Sequence, residues 1–519
     1  MQQYIDVFKE DLKEFHEMTR KFYQGEISIP EYKSFSGGFG SYAQRGGERS
    51  MLRLRLAMGE IDKNQLTFIA ESIKKYQIDM VHLTTCQTVQ LHNLTEDAVC
   101  DLSTEALEHG IITRGGGGDF PRNVMTSPLA GVEKGEYFDV TPYAKETARY
   151  LLSFIKKVKF PRKLKVCFSS DKANVTHATF RDLGFVAKEN GKFDVYAAGG
   201  LGVNPKLGVL VAEDIEPKNV LYCVKTMVDV FTQYGNYEQR ARSRSRFLQD
   251  TLGVEELKRI YSEKLSENLK NQELTITVKP EAITKQGKED LELEKESRII
   301  AQKQPGLYAV SYAPIAGDIK PSFFEKIAGV IAPMEEVKIR LSPEQRLYII
   351  NLTAEEARKV LKETQDGGET AFECSTACIG ADVCQVGIGK SRLLLQACVK
   401  RLREENLPKD VLPSVHISGC PSSCGSHQTA VIGLRGGKKP TAEGPKFAFA
   451  LYENGSDKPK EEGFGTEVGV LFEDDIPDFF VELARRVAKE GIGFTEYYKK
   501  YPECIKEVAA CFLKNEEKK

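Results

Sequence analysis

No stretch of the 519-residue sequence reaches the roughly 18 uninterrupted apolar residues that a membrane helix needs, so no membrane insertion is expected. The N-terminal segment MQQYIDVFKEDLKEFHEMTRKF is charged and amphipathic and lacks the apolar core of a signal peptide, so a cytoplasmic protein is expected. A charge bias is missing too: 73 Lys and Arg face 75 Asp and Glu, a net charge of -2. That excludes a global pull toward nucleic acid or membrane, and any basic site must be local. With 41% apolar and 29% charged residues, the chain also lies outside the composition of disordered proteins. Cysteine, by contrast, is not scarce. Twelve cysteines in a reducing compartment argue against a disulfide framework; clustered ones read as metal ligands or redox groups, scattered ones as small core residues.

The chain repeats itself. Shifted by 258 residues, positions 59–97 fall on 317–355 without a gap, with ten identities in 39 positions, among them Gly59/Gly317, Gln87/Gln345 and Asn93-Leu94-Thr95/Asn351-Leu352-Thr353. In each copy a Gly-acidic-Ile turn leads into an amphipathic helix (QLTFIAESIKKY; FFEKIAGVIA). An alternating strand follows (VQLHNL; LYIINL), and then a Thr-led helix start. Strands alternating with helices predict an α+β (mixed α/β), internally duplicated architecture. The highly charged segment 262–300 reads as a surface connection between the halves.

Five cysteines lie between positions 374 and 424, in ECSTACIGADVCQVG and HISGCPSSCGSHQ. Cys378 and Cys384 are separated by five residues, Cys420 and Cys424 by three, and 35 residues lie between the pairs. Zinc sites favour closer pairs and often include His, and the Cys-x-x-Cys-His of a c-type haem is absent. Soft thiolates on Gly- and Ser-rich turns suit an iron–sulfur cluster better. Cys374 makes its own Cys-x3-Cys with Cys378 and reads as a spare thiol or a substitute ligand.

In Arg53-Leu54-Arg55 and Lys163-Leu164-Lys165, period-two spacing puts both cations of each pair on one strand face. Paired like charges are costly unless an anion compensates them. Two nucleotide-like fragments fail on inspection: Gly389-Lys390-Ser391 has Cys384 where a phosphate loop needs Gly, and Gly200-x-Gly202 is followed by Pro205 where a dinucleotide fingerprint needs its third Gly. With no nucleotide or flavin motif, electrons for a redox reaction come from a separate protein.

The Cys-x5-Cys and Cys-x3-Cys pairs resemble those of the sirohaem-dependent sulfite and nitrite reductases. In that family four thiolates hold a [4Fe-4S] cluster and the last cysteine also bridges to the sirohaem iron. The resemblance implies Cys378, Cys384, Cys420 and Cys424 as cluster ligands, with Cys424 the bridge. SMLRLRLAMGEI, GGGGDFPRNVMTSP and FPRKLKVCFSS resemble the family's substrate elements and imply Arg53, Arg122, Lys163 and Lys165 as catalytic residues, with Asn123 beside the cofactor. TTCQTVQLHNL resembles a strand lining the macrocycle, which implies Gln87, Gln90 and His92, with Cys86 in place of the family's arginine. AAGGLGVNP implies Gly200 and Gly202, and RARSRSR implies Arg240 and Arg242, with Arg244 and Arg246 in the same stretch, as contacts to the sirohaem carboxylates. A pseudo-twofold architecture follows, with an N-terminal arm (1–36), a first ferredoxin-like half-domain (37–130) and a first sirohaem-binding module (131–261). After the connection come a second ferredoxin-like half-domain (301–365) and an iron–sulfur/sirohaem-binding module (366–519). The implied reaction is six-electron reduction of sulfite to sulfide, since the family's sulfite reductases tend to keep both lysines. The implied donor is ferredoxin, a flavodoxin-like carrier or a separate reductase subunit. The alternatives are a nitrite reductase on the same cofactors and, from another class, a non-catalytic iron–sulfur or zinc-binding protein.

Overall fold

Among the residues that the computed structural model describes, 2–278 and 281–513, four five-stranded sheets form two matched pairs. The first sheet takes Ser41–Ala43, Ser50–Leu54, Val89–Leu94 and Val81–Leu83 from the N-terminal half and closes on Asp318–Ile319 from the C-terminal half. Another does the reverse: Ile299–Ala301, Tyr308–Tyr312, Leu347–Leu352 and Lys338–Leu341 close on Glu60–Ile61. Ile319 lies opposite Val81 and Ile61 opposite Ile339. The repeat copies thus exchange a short strand. They also share one core, in which Leu52, Val89 and Leu91 pack with Val310, Leu347 and Ile349. Units 37–130 and 301–365 are therefore interlocked.

Local chemistry accounts for the helices that cover these sheets. Asp62 and Gln65 form a capping box for helix Lys63–Lys75, and Thr353 and Glu356 form one for Ala354–Glu363; Thr95 caps Glu96–Glu108 through the backbone N–H of Ala98. Lys63–Lys75 buries Leu66, Ile69 and Ile73 at helical spacing and packs against Pro321–Ile331 from the other half. The N-terminal arm is a helix, Gln2–Tyr23, that buries Phe8, Leu12 and Phe15 against the first half-domain, followed by the short helix Ile29–Ser36.

The other two sheets repeat one mixed topology. Pro121–Thr126, Leu164–Ser169 and Leu183–Ala187 run parallel, and Phe193–Ala197 and Val209–Ile215 add on antiparallel. In the C-terminal half Thr376–Ala377, His416–Ser418 and Ile432–Lys439 are parallel, and Lys446–Glu453 and Thr466–Phe472 antiparallel. Two expected boundaries move. The module expected from residue 131 takes its first strand from Pro121–Thr126, and the expected connection at 262 lies inside helix Val254–Asn271, whose buried Leu257, Ile260, Tyr261 and Leu265 carry it onward as part of the core.

The duplication extends to single residues. Positive φ recurs at Met58 and Ala316, at Gln87 and Gln345, at Asn93 and Asn351, and at His177 and Ser426. A Cβ on Gly184 would lie 1.9 Å from the Ala178 carbonyl oxygen, and one on Gly433 would lie 1.9 Å from that of His427. Only glycine permits so close an approach.

Candidate functional site

The strand His416–Ser418 ends in a turn that carries Cys420 and Cys424, and the loop after Thr376–Ala377 carries Cys378 and Cys384. Pairing of these two parallel strands brings the loops together: the Gly419 N–H donates to Cys378 Sγ at 3.1 Å, and Ser391 Oγ lies 3.1 Å from the same sulfur. Backbone N–H groups of Val386 and Gly387 face Cys384 in the same way. Burial, together with Cys424, pushes Cys378 up to about 12; burial raises Cys384 as well, with Cys424 and Cys420 adding to it. Four thiols that feel one another, two of them with backbone donors, make a site whose thiolates need the charge of bound iron. Among the described residues no three His, Cys, Asp or Glu side chains are placed around a single metal ion. Cys374 faces elsewhere. Its thiol donates to the Gly368 carbonyl, and its charged neighbours are Arg346, Glu373 and Glu344.

Across the boundary between the halves stand the cations. Arg53 and Arg122 both donate to the Gly116 carbonyl, and Arg122 also reaches that of Gly118. The run Gly115-Gly116-Gly117-Gly118 is therefore a carbonyl clamp; a Cβ at Gly117 would lie 2.3 Å from the Gly37 oxygen. Arg55 instead holds the carbonyls of Arg114 and Arg122, which leaves it a scaffold role. Lys163, before strand Leu164–Ser169, lies well below the usual lysine range because of burial and then the charges of Arg244, Lys165 and Arg122; Cys424 opposes the shift. Arg122 is lowered by burial, with Arg53 and Arg244 adding to it. Depressed cations crowded together mark a recess short of negative charge. Asp182, buried and paired with Arg244 at 3.2 Å, compensates part of it.

Cys86 sits among these groups. Burial raises its thiol, but Lys165, Arg181 and Arg53 outweigh burial and bring it down to about 6. The neighbouring Thr85 hydroxyl donates to the Cys424 carbonyl at 2.9 Å, so this turn touches the thiol cradle.

The remaining expected contacts divide. Gln90 pairs with Arg53 across the strands and shares its face, whereas Gln87 is fully buried with its amide committed to the protein. Gln87 Nε2 donates to the carbonyls of Thr126 and Leu341, and its oxygen accepts the Thr126 N–H, which leaves no amide donor for a ligand. His92 is buried, with Nδ1 on Gln44 and Nε2 unpartnered; Asn123 donates to the carbonyls of Cys86 and Gln87 while its oxygen lacks a partner. Arg240 and Arg242 point outward from a short turn, Arg240 paired at the surface with Asp119. Arg244 and Arg246 face inward instead. Their Nε and Nη1 atoms, respectively, are buried without partners, beside Gly200 and Gly202. Gln428 ties Gly202 to the cysteine half through two hydrogen bonds. Buried unpartnered guanidinium donors beside a glycine loop fit a macrocycle edged with carboxylates. Sequence reasoning missed Arg181, whereas RARSRSR had marked Arg244 and Arg246 together with Arg240 and Arg242. In a separate cavity of about 640 Å³ Asp318 pairs with Arg392 and Lys320 with Asp366.

The thiols and cations belong to opposite halves. Aligned by strand pairing, Cys378, Cys384, Cys420 and Cys424 have Ser127, Glu133, Asp171 and Val175 as first-half counterparts. The Ser170 N–H donates to Ser127 Oγ at 3.0 Å, as Gly419 does to Cys378. Lys163 and Lys165 in turn correspond to Leu412 and Ser414. The duplicated scaffold thus offers one cluster cradle and one oxyanion recess, the constitution of a metal-dependent oxidoreductase.

Comparison with known proteins carries this further. The model of the nitrite/sulfite reductase ferredoxin-like half domain matches residues 42–109 and 300–367, and that of the nitrite and sulphite reductase 4Fe-4S domain matches 117–269. Together these spans cover more than half of the chain. The chain is 25% identical over 432 residues to sulfite reductase [ferredoxin] 1 of Mycolicibacterium paratuberculosis, covering 80% of this chain and 75% of that one. To the assimilatory ferredoxin-dependent nitrite reductase of Haloferax mediterranei it is 27% identical over 471 residues, covering 83% and 78%. The solved structure of the Mycobacterium tuberculosis NirA protein shares the fold, with a TM-score of 0.80 at 23% identity over 97% of this chain and 95% of that one. The chain belongs to the nitrite and sulfite reductase family, an oxidoreductase family whose cofactors are sirohaem and a [4Fe-4S] cluster.

Proposed function

We propose that the protein reduces sulfite to sulfide, taking six electrons one at a time from a ferredoxin. The observation that carries the reading is the cation set, Arg53, Arg122, Lys163 and Lys165, gathered in one half opposite Cys424 in the other. When bound, the sirohaem iron supplies the site where the anion is held and, with the cluster, the route for electrons. Cys378, Cys384, Cys420 and Cys424 hold the cluster, with Cys424, whose carbonyl and thiol face the cation half, at the junction. Arg53 and Arg122, fixed from behind by Gly116, aim forked donors at the anion's oxygens without reorganising. Lys163, which burial and then the neighbouring cations make easy to deprotonate, gives a proton to a departing oxygen and regains one from solvent. Asn123, Gln90, His92, Arg244, Arg246 and the Gly200–Gly202 loop line the macrocycle. A ferredoxin donor agrees with the names of the relatives and with the lack of a nucleotide or flavin motif. Twelve free thiols agree with a reducing cytoplasm.

One observation favours nitrite instead. A Cys86 thiolate places negative charge in the recess, and a dianion is penalised by it more than a monoanion. Steady-state assays with reduced methyl viologen test both readings, in the wild type and in Cys86→Ser. The sulfite reading expects a larger kcat/KM for sulfite than for nitrite, and a larger ratio still once the thiolate is removed. A kcat/KM for nitrite far above that for sulfite overturns it.

A further inference from the structure

We propose that the face formed by Val386, Leu393 and Phe447, rimmed by Lys390, Lys438 and Arg45, is where an acidic ferredoxin docks. The inference rests on the reading of the chain as a ferredoxin-fed reductase and adds the surface through which the electrons enter. Scattered exposed apolar side chains are ordinary, but Val386 and Leu393 lie on either side of Lys390 in the chain that leaves the cluster loop, and Lys390 stands over Phe447. Val386 is 54% exposed, two residues beyond Cys384; Leu393 is 38% exposed in the first turn of helix Ser391–Arg403, whose Ser391 touches Cys378. Phe447, 41% exposed, joins them from the hairpin of Ile432–Lys439 and Lys446–Glu453, because Gly389 is packed so closely on Phe449 and Gly436 that a Cβ there would lie 2.4 Å from the Phe449 ring.

Three cations border this apolar centre. Lys390 and Lys438 both stand over the Phe447 ring, 6.0 and 5.1 Å from its centroid. On the other flank exposed Arg45 clasps the carbonyls of Cys384 and Gly387, the segment that includes Val386. Among nearby acids, Asp382 is bound to Arg392, and Glu473 and Asp474 sit at the edge beside Lys390. An apolar centre for contact, a cationic rim for steering, and direct covalent connection to two cluster ligands match the needs of a transient one-electron partner that carries surface carboxylates.

Titration of the holoenzyme with an oxidised acidic [4Fe-4S] ferredoxin, followed by calorimetry at low and at high ionic strength, tests the surface without turnover. The Lys390→Glu/Lys438→Glu variant should bind about tenfold more weakly at low salt and lose most of the salt sensitivity seen in the wild type. Its ferredoxin KM should rise by a similar factor while methyl viologen, too small to need the surface, drives turnover at the wild-type rate. Lys438→Glu/Phe447→Glu, confined to the hairpin, should give the same pattern even where a change at Lys390 disturbs the cluster loop. Wild-type affinity in both variants overturns the proposal, and so does an equal loss of viologen and ferredoxin rates with unchanged binding. A wild type that binds ferredoxin through this face but turns over neither anion overturns the functional reading and leaves the docking surface standing.

Discussion

Gln87 and Gln345, one in each repeat copy, supply a paired test of what the duplication builds. Each is almost fully buried, and each spends its amide across the halves in the same way. Gln87 Nε2 donates to Thr126 O and Leu341 O while its oxygen accepts the Thr126 N–H; Gln345 Nε2 reaches Leu83 O and His82 while its oxygen accepts the Ala377 N–H. Gln87→Leu keeps the volume and strands two carbonyls and one N–H. At about 1–3 kcal/mol for each unsatisfied buried group, and with partial relaxation, a loss of about 2–4 kcal/mol follows, or roughly 30- to 900-fold in the folded-to-unfolded ratio. Gln345→Leu should cost a similar amount. Thermal unfolding followed by circular dichroism, beside the visible absorbance of sirohaem per chain, separates a cross-half pin from a cofactor contact. Both variants should melt earlier, and the fraction that remains folded should keep its sirohaem. If Gln87→Leu lost sirohaem at an unchanged melting temperature while Gln345→Leu kept it, Gln87 would be a cofactor residue and the pin argument would fail.

Cys374 gives a second test: Cys374→Ser should retain the roughly four irons and four acid-labile sulfides of the wild type, whereas Ser at Cys378, Cys384 or Cys420 should lower both sharply. Loss of iron in Cys374→Ser would return that thiol to the ligand set. The first-half counterpart of the cradle supplies a pH dependence. Burial first, and then the charge and hydrogen bond of Asp171, raise Glu133 to about 7 from an ordinary 4.5. The folded state therefore keeps a proton that the unfolded chain releases near 4.5; the stability this provides is intact below that pH and is lost as pH rises through about 7. Glu133→Gln should flatten that loss between pH 5 and pH 8 in thermal unfolding, and parallel curves for the two proteins would refute the assignment.

What the sequence revealed and what it hid both have physical reasons. The two cysteine pairs were legible because each sits on a single turn, Cys378 with Cys384 and Cys420 with Cys424, while the pairing of the strands that bring the turns together was not. The strand exchange was hidden because Glu60–Ile61 and Asp318–Ile319 are two residues long, too short for any period to register. RARSRSR resembled one basic stretch in which its four arginines were equivalent. The chain turns twice there instead, so Arg240 meets Asp119 at the surface while Arg244 and Arg246 turn inward. Gln87 was misread for a different reason: motif likeness says that a residue matters, and only the φ of 54° and the buried amide say which way it faces.

That misreading points to a rule internal to this chain. Identity between the copies marks scaffold, because a residue needed by the fold is needed twice. Gln44 and Gln302 make the point: each oxygen accepts the N–H of Asn93 or Asn351, at 2.8 and 2.7 Å, and each amide returns a bond to the same asparagine. Gly59 and Gly317, both at positive φ, likewise shape the same turn twice. Difference between the copies marks chemistry, because a single reaction centre needs each group once. Cys378 stands against Ser127, Cys420 against Asp171, Lys163 against Leu412 and Arg53 against Ser311. The rule moves Gln87, which equals Gln345, to the scaffold, and it keeps Gln90 and His92, whose counterparts are Tyr348 and Ile350, with the site. The two halves could not both carry thiols and cations, since a cradle that needs bound iron to compensate its thiolates and a recess that needs a bound anion to compensate its cations satisfy each other only when they face across one boundary.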